Sequence, residues 1–529
     1  MDRQLAQMEL HTMPIELAPQ LALTMVFLYS YHNGTTSPLL LPQLSYHYRM
    51  EQTHTGAGTT PTPYIHDAGL FTDFYELTMV QGYFAQGIHE TTTTFDYFFR
   101  EQPFGNGFVV FAGLQDLLDT LSELRFSPEA IDFLASKGFQ KEFLDYLAGF
   151  RFRGSLASVF EGDVVFPGEP IVRLTGPLAD IQLVETLVLN LLNFQSLVAT
   201  KAARMRLAAG PEKTLIDFGL RRAQGLGGIH ATRAAMIGGF NGTSNVHAGK
   251  TYGIPVTGTM AHSWVQSFDE ELDAFRAYAE LYPESCVLLV DTYSTLESGV
   301  PNAITVAGEM AERGQNLKGI RLDSGDLAYF SGRARRMLDE AGLHGVQIHV
   351  SNQLDEVVIR SLMSQSAPID GFGVGTRLVT ADGDPALGGV YKQSMIGDRP
   401  TMKVSENPEK VTLPGVKKVW RTIDSDGFFA GDAIGLADQE DPERFHHPVF
   451  PVKNTPLRGL RTMELLVDVM SGGEPLVEER DLGSIAAYSR SRLDCLPPEV
   501  LRFENPHEYK VGITPELMEL RDRFLREKM

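Results

Sequence analysis

Short β-branched runs alternate with helical segments between Thr214 and about residue 400. Each run ends in glycine or polar residues, and successive runs lie roughly 20 to 35 residues apart. This alternation is typical of parallel strands joined by crossover helices. Because polar chemistry stands at every run end and not at one switch point, the pattern favours an α/β barrel over an open sheet. The runs end at 216–219, 242–245, 256–259, 289–292, 319–323, 349–352 and 373–376.

Residues 64–210 have a different pattern, which predicts an N-terminal domain that ends in a connecting helix. Asp73 and Glu76 have the spacing of a capping box that opens an amphipathic helix. A long run with a broad apolar face ends in a basic last turn. The predicted elements are a helix at 73–83, strands at 95–100 and 108–112, a β-hairpin within 151–176, and a long helix at 178–208.

The two ends of the chain lack the barrel pattern. Residues 1–63 have no sustained period, and the segment 53–63 is rich in Thr, Gly and Pro. We therefore predict a flexible extension there and a folded protein that begins near Tyr64. The barrel is expected over 211–420, and the weaker pattern over 421–529 predicts a smaller accessory domain that ends in a charged helix.

Composition limits the classes of partner. The net charge of −21 and the pI of about 5.1 argue against a broad surface for nucleic acid or anionic membranes, although local amides and arginines still permit a phosphate ligand. The two cysteines, Cys286 and Cys495, have neither metal-ligand nor disulfide spacing, which fits a reducing cytoplasm. No apolar run reaches the roughly 20 residues that span a bilayer. We expect a cytoplasmic protein with a buried structural thiol at Cys286.

The strand end around Arg321 carries groups suited to a phosphorylated sugar. Arg321 offers a bidentate fork for a carboxylate or phosphate, and Asp323 and Asp326 can accept sugar hydroxyls or hold a hard cation. Ser324 and neighbouring amides can hold phosphate at a helix N-terminus, where Gly325 allows close backbone approach. An ordinary helix cap with a surface salt bridge is the alternative interpretation.

A histidine and a glycine-rich turn stand at two other run ends. His262 follows the run 256–260; a lone histidine is more often structural, but this position favours function. Gly373, Gly375 and Thr376 follow a late strand, where barrels usually bind phosphate. A tight turn is the alternative there, because a lone Gly-rich element is a weak signal.

The first barrel run is followed by an aromatic ring and two guanidinium groups. Phe218 can stack on a planar ring, and Arg221 can bind an anion. A core phenylalanine with surface arginines is the alternative, and for Arg222 it is the preferred one. The three strand ends and this loop together predict a site for a phosphorylated sugar and a planar partner.

Taken together, these segments resemble nicotinate phosphoribosyltransferase over about 67–421. The resemblance implies a type II phosphoribosyltransferase-like fold: an N-terminal α/β sandwich, an irregular TIM-like α/β barrel and a C-terminal extension, usually in a homodimer with sites near the subunit interface. The stretches that carry it are 70–79, 185–204, 217–225, 242–246, 258–264, 291–295, 319–326 and 373–378.

The family reaction joins nicotinate to 5-phosphoribosyl 1-diphosphate, giving nicotinate mononucleotide and diphosphate in NAD salvage. Resemblance implies a requirement for Mg²⁺, whose ligands it leaves unassigned, and coupling to ATP hydrolysis through a phosphohistidine at His262. Arg221 and Asp323 complete the predicted catalytic set. By position, Tyr75 and Thr259 would contact nicotinate, Arg321 would lie beside its carboxylate, Asp323 would meet the ribose, Thr376 with Gly373 and Gly375 would hold the 5-phosphate, and Arg221 would lie near the ring or the diphosphate.

Three alternative functions are open. Nicotinamide phosphoribosyltransferase shares the architecture but carries an aspartate where this chain has Ser244; an aspartate would accept from an amide and repel a carboxylate, so Ser244 favours the acid. Quinolinate phosphoribosyltransferase resembles the chain less, because its site needs more cationic groups and its chain is much shorter. An inactive regulatory relative that binds nucleotides is disfavoured by the complete set of predicted site residues.

Overall fold

The computed structural model describes residues 67–405, 411–478 and 480–528. The predicted extension, residues 1–63, and the predicted start near Tyr64 lie outside these described residues. In the described chain, a parallel sheet with crossover helices occupies the middle, and the segments before and after it build mainly antiparallel sheets. Within these ranges, none of the helices combines the length and the apolar character that crossing a membrane requires.

The predicted barrel strands are present. They are β1 (Thr214–Asp217), β2 (Gly242–Thr243), β3 (Val287–Leu289), β4 (Gly319–Leu322), β5 (Gln347–Ser351) and β6 (Gly371–Val374). Their order in the sheet is β2-β1-β6-β5-β4-β3, and every pairing is parallel. The remaining predicted run contributes Val256, which forms a parallel bridge with Thr243 at the β2 edge. The predicted α/β barrel pattern is thereby confirmed.

Helices follow the strands, as the alternation predicts. They cover one face of the sheet, where Ile320, Leu322, Ile348, Val350 and Phe372 are buried. This burial explains the β-branched and apolar runs, because a parallel sheet covered by helices needs apolar side chains on that face. The helices are Gly227–Ile237, Val246–Tyr252, His262–Gln266, Glu271–Leu281, Val300–Glu312, Leu327–Glu340, Glu356–Ser364 and Thr376–Val379.

The first predicted helix is confirmed, but its predicted capping box is wrong. The helix spans Phe74–Ala85 with Asp73 at the N-cap, and the Asp73 side chain forms no capping hydrogen bond. Glu76 is buried and accepts instead from Thr72 Oγ1, Thr186 N and Thr186 Oγ1. The carboxylate therefore serves a tertiary contact, and its spacing from Asp73 misleads.

The predicted hairpin between the two apolar runs within 151–176 is also wrong, although the segment does contain an antiparallel strand pair. Val164–Val165 pairs with Val109–Val110, whereas Val172–Pro177 pairs with Thr92–Phe99 and Ser155–Ser158 in another sheet. Turn chemistry between the two apolar runs shows that the chain bends, but the runs pair with other strands and not with each other. The two runs therefore belong to different sheets.

The N-terminal sheet takes strands from all parts of the described chain. Its central strand, Thr92–Phe99, lies between Val172–Pro177 and Gly389–Ile396. Residues after the last barrel strand thus return to this sheet. In order, its strands are Arg399–Pro400, Gly389–Ile396, Thr92–Phe99, Val172–Pro177, Ser155–Ser158, Val467–Ser471 and Glu474–Pro475.

Helices of the N-terminal region pack around a long central helix, Glu185–Ala209. The helix predicted at 178–208 is interrupted at Val184, which separates Leu178–Leu183 from Glu185–Ala209. Even Lys201 and Arg204 are buried in the long helix, because both pair with the Glu356 carboxylate. The remaining helices are Leu114–Ser122, Pro128–Ser136 and Lys141–Ala148, with short 3₁₀ turns at Ala68–Leu70 and Pro103–Gly105.

The C-terminal segment is largely a β-sheet, a feature that its weak pattern does not predict. In order, the strands are Asn454–Pro456, Arg444–His446, Val511–Ile513, Phe429–Leu436, Lys417–Ile423 and Arg461–Glu464. The helices are Leu482–Asp494 and Pro515–Lys528, and the latter confirms the predicted charged C-terminal helix. Fully buried Arg421 bridges Asp432 of this sheet and Asp163 of the N-terminal region at 2.6 and 2.9 Å, so its charge is compensated.

Candidate active site

The site lies on the face of the barrel sheet opposite the buried apolar face. Side chains alternate along a strand, so Arg321 and Asp323 share this face on β4 and its end, while His349 and Ser351 share it on β5. On β6 the same face carries Gly371 and Gly373, with Gly375 following. Polar groups and missing side chains thus line the face where an ordinary barrel packs bulky apolar residues. This composition leaves space for a ligand.

Gly373 makes room for the ring of Phe218. A Cβ at position 373 would lie 2.4 Å from Phe218 Cε2 and 2.5 Å from Cδ2, closer than real carbon contacts. The Phe218 ring is half-buried, and the guanidinium carbon of Arg321 lies 5.8 Å from its centroid. That distance is within the range of a cation–π contact. The aromatic face predicted at Phe218 therefore meets Arg321, the residue predicted to bind a carboxylate or phosphate.

Arg321 is held by one hydrogen bond, and part of its guanidinium fork has no partner among the described residues. Its Nη2 donates to the Met260 carbonyl at 3.0 Å, whereas its buried Nε has no hydrogen-bond partner among the described residues. Burial lowers the pKa of Arg321, and the nearby Asp323 and Asp291 carboxylates act in the opposite direction. An arginine remains charged under such a shift, so an anion at this place gains a desolvated cation.

Asp323 and Asp291 form a connected acidic pair at the ends of β4 and β3. Asp291 Oδ2 accepts from Asp323 N and Ser324 Oγ, both at 2.7 Å. Ser351 Oγ donates to Asp323 Oδ1. These bonds fix the backbone of Asp323 and the Oδ1 atom of its carboxylate, and Oδ2 takes part in none of them. Asp291 and Ser351, with their bonds to Asp323 and Ser324, are absent from the sequence-based site.

The free oxygen of Asp323 faces His262. The distance from His262 Nε2 to Asp323 Oδ2 is 3.8 Å, and His262 Nδ1 lies 3.1 Å from Thr292 Oγ1. The imidazole is 40% exposed, so its ring can reach a ligand in solvent. When Thr292 Oγ1 accepts a hydrogen bond from the Nδ1–H of His262, Nε2 carries no proton and its lone pair is available for bonding.

A buried carboxylate, Asp217, orients two site loops. Its Oδ1 accepts from Gly219 N at 2.7 Å, and its Oδ2 accepts from Thr232 Oγ1 and Thr243 Oγ1 at 2.7 and 2.8 Å. Its main-chain carbonyl also accepts from Ser244 N at 2.8 Å. Burial raises the pKa of Asp217, and the three donors oppose that shift. The loop that carries Phe218 and the one that carries Ser244 are thereby fixed together.

The other predicted residues lie at the rim or at neighbouring strand ends. Thr376 is exposed and begins a short helix directly after Gly375. Gly325 has φ +75°, and a Cβ there would lie 2.5 Å from the Phe330 ring, so a glycine is required. Arg221 is exposed in a 3₁₀ turn and acts electrostatically on Arg321. Half-buried Thr259 donates to the Met260 carbonyl at 3.3 Å, beside the Arg321 contact.

Tyr75 is not part of this constellation in one chain. It is 46% exposed on the first helix, and it lines a separate cleft of about 360 Å³ on the N-terminal sheet. Burial and the nearby Glu185 and Glu76 carboxylates raise the pKa of the phenol. The cleft residues are Tyr75, Met79, Tyr83, Phe95, Gln182, Glu185, Tyr391, Lys392 and Gln393.

The acidic pair fits a Mg²⁺ ion that a phosphate ligand brings with it. Across the described residues, no three His, Cys, Asp or Glu side chains converge to hold a metal alone. Asp291 Oδ1, however, is buried and has no hydrogen-bond partner in the described part of the chain. Mg²⁺ commonly takes one or two carboxylates and completes its shell with water and substrate phosphates. Asp291 and Asp323 supply that kind of donor set.

Comparison with known proteins identifies family models along most of the chain. Residues 70–193 match the nicotinate phosphoribosyltransferase N-terminal domain, residues 214–408 match the nicotinate phosphoribosyltransferase family, and residues 416–521 match the nicotinate phosphoribosyltransferase C-terminal domain. A relative from Bacillus subtilis (strain 168), named nicotinate phosphoribosyltransferase, is 44% identical and aligns over 84% of this chain and 93% of its own.

Solved structures agree with the fold. The crystal structure of human nicotinic acid phosphoribosyltransferase superposes with a TM-score of 0.78 at 32% identity, covering 85% of this chain and 99% of the human chain. The nicotinate-nucleotide pyrophosphorylase from Pyrococcus furiosus superposes with a TM-score of 0.63 at 23% identity, covering 81% and 95%. The second likeness concerns the fold alone, and it agrees with the expected type II phosphoribosyltransferase-like architecture.

Proposed function

We propose that this chain, which belongs to the nicotinate phosphoribosyltransferase family, joins nicotinate to 5-phosphoribosyl 1-diphosphate in the salvage of NAD. The main support is the arrangement of Arg321, Phe218 and Asp323 on a sheet face that Gly371 and Gly373 keep open. A cation for a carboxylate, a ring for stacking and a carboxylate for sugar hydroxyls thus lie together at one face of the sheet.

The transfer step needs orientation and charge stabilisation more than a protein base. The pyridine nitrogen attacks C1 of the ribose with its lone pair, and the C1–O bond breaks with its electrons on the diphosphate. No proton leaves the nucleophile. Phe218 and Arg321 would hold the ring, Asp323 would bind the ribose, and Arg221 would stabilise the charge that develops on the diphosphate. Thr376, Gly375 and Ser324 would bind the phosphate oxygens at the rim.

ATP hydrolysis would proceed through His262. The Nε2 lone pair attacks the γ-phosphorus, the bond to the ADP oxygen breaks, and water later releases phosphate from the nitrogen. The Thr292 contact to Nδ1 supports this assignment, because the tautomer in which Nδ1 donates to Thr292 leaves the Nε2 lone pair free. Phosphorylation places negative charge on the nitrogen that lies 3.8 Å from Asp323 Oδ2, so the phosphoenzyme would change the charge of the sugar site.

Mg²⁺ would neutralise phosphate charge when it is bound. Asp323 and Asp291 would hold it, since Asp323 Oδ2 faces His262 and Asp291 Oδ1 is a buried acceptor without a hydrogen-bond partner among the described residues. Asp291 has a second role that needs no metal, because it fixes the Asp323 backbone and Ser324 through two hydrogen bonds.

A homodimer would account for Tyr75. The phenol and the neighbouring Phe74 are exposed by 46% and 58% on the first helix, and none of the barrel-site residues lines the cleft that contains Tyr75. We propose that Tyr75 contacts nicotinate in the site of a second copy. The free cysteines Cys286 and Cys495 are consistent with the cytoplasmic location that we also propose.

Product analysis tests the proposed function. The enzyme is incubated with 5-phosphoribosyl 1-diphosphate and Mg²⁺, with and without ATP, and with nicotinate, nicotinamide or quinolinate. We expect nicotinate mononucleotide and diphosphate in equal amounts, ATP stimulation, and little product from the other two bases. Efficient turnover of nicotinamide but not nicotinate would assign the chain to the rival activity, and no turnover of any base would indicate a regulatory protein.

A further inference from the structure

A histidine that the mechanism does not use lies at the floor of the site. His349 is on β5, where its register partners are Arg321 on β4 and Gly371 on β6. Paired residues of neighbouring parallel strands point to the same face and are about 4.8 Å apart. His349 therefore stands beside Arg321, one step deeper than Asp323 and Ser351, on the face that bears the site.

Two glycines reserve the space of the His349 ring. A Cβ at Gly371 would lie 2.5 Å from the imidazole Nδ1, and a Cβ at Gly319 would lie 3.1 Å from its Cδ2. Both flanking strands thus lack a side chain where one would press on the ring. The ring is half-buried and occupies a fixed place between β4 and β6.

The ring nitrogens of His349 are available for hydrogen bonding. No described residue forms a hydrogen bond with either nitrogen, and the charges that act on it are those of Asp370 and Arg321. Burial lowers the pKa of His349, Asp370 opposes the shift, and Arg321 adds to it. A neutral imidazole carries one N–H donor and one acceptor, so this ring keeps a donor for a ligand that reaches it beside Arg321.

We propose that His349 is a substrate-binding residue whose N–H donates to the carboxylate of nicotinate while Arg321 binds the same carboxylate. This inference rests on the proposed function and adds a contact to it. The layers of the face support the assignment: Asp323 and Ser351 lie above for the ribose, Phe218 lies beside for the ring, and Arg321 with His349 lies below. A carboxylate accepts hydrogen bonds from both residues at once, which an apolar ring edge cannot do.

The test compares His349→Leu, which removes the donor, with His349→Gln, which retains a donor of similar reach. We expect the KM for nicotinate to rise about tenfold in His349→Leu and less than threefold in His349→Gln, on the scale of one hydrogen bond to a charged group. The kcat and the KM for 5-phosphoribosyl 1-diphosphate should change less than twofold. His344→Leu is the matched control, because the His344 side chain is 72% exposed on the surface.

The outcomes separate the two proposals. A wild-type enzyme that does not convert nicotinate overturns the proposed function and this inference with it. If the wild-type enzyme converts nicotinate, two results would overturn the inference alone. One is an unchanged KM for nicotinate in His349→Leu, and the other is an equal rise in the KM values of both substrates in the Leu and Gln variants. Should His349→Leu fail to fold, Gly371→Ala displaces the same imidazole, and the same rise confined to the KM for nicotinate is required.

Discussion

Replacing Gly373 with alanine tests whether the open face of β6 holds the Phe218 ring for nicotinate. The new Cβ would lie 2.4 Å from the ring, where ordinary contacts begin near 3.4 Å, so the ring must retreat by about 1 Å. Gly373 has no positive φ, so the effect is steric and not a backbone strain. Overpacking of this kind costs about 1–3 kcal/mol of stability.

The kinetic effect follows from the displaced ring. Stacking between aromatic rings contributes about 0.5–1.5 kcal/mol beyond buried area, which corresponds to a roughly 2- to 12-fold fall in kcat/KM for nicotinate. The assay varies nicotinate at saturating 5-phosphoribosyl 1-diphosphate, with Tm measured on the same preparations. The double variant Gly373→Ala/Phe218→Leu should recover stability, because the clash is removed, but not kcat/KM.

Gly332→Ala is the matched control. Gly332 lies within the helix Leu327–Glu340, and a Cβ there would have no atom within 4 Å. Helix propensity predicts a gain of up to about 1 kcal/mol in stability and unchanged kinetics. Unchanged kcat/KM in a destabilised Gly373→Ala enzyme would refute the stacking role of Phe218, whereas unchanged stability would refute the packing argument.

Four further changes have defined expectations. His262→Asn should abolish ATP stimulation and leave slow ATP-independent synthesis, measured as ATP consumed per nucleotide formed; undiminished coupling removes His262 from its role. Ser244→Asp should lower the ratio of kcat/KM for nicotinate to that for nicotinamide by roughly tenfold or more, since the carboxylates repel each other. The lowered pKa of His349 means that its contribution to stability is full above the unfolded value near 6.5 and is lost as pH falls through the folded value. His349→Leu should therefore lessen the fall of Tm between about pH 7 and pH 5, and an unaltered slope contradicts this. Deletion of residues 1–49 should leave soluble, active enzyme.

The local sequence pattern predicted the barrel because each strand and helix is set by residues close together in the chain. Strands β1 to β6 fall at the predicted runs, since each β-branched run must bury one face against helices and each glycine or polar residue ends it. The same reasoning failed at 151–176, where the two runs pair with other strands and not with each other. It failed again at Glu76, whose helical spacing suits a cap but whose carboxylate bonds to Thr186.

The site divides in the same way. The sequence by itself determined which strand ends carry chemistry, because Arg321, Asp323, His262 and Phe218 follow recognisable runs. Only the tertiary structure decided which of them meet: strand order brings Asp323 to His262, whereas Tyr75 lies in another cleft. The sequence alone did not identify His349 as a site residue, because its placement beside Arg321 depends on the register of two strands. Register arises from pairing across the sheet, which spacing along one strand does not encode.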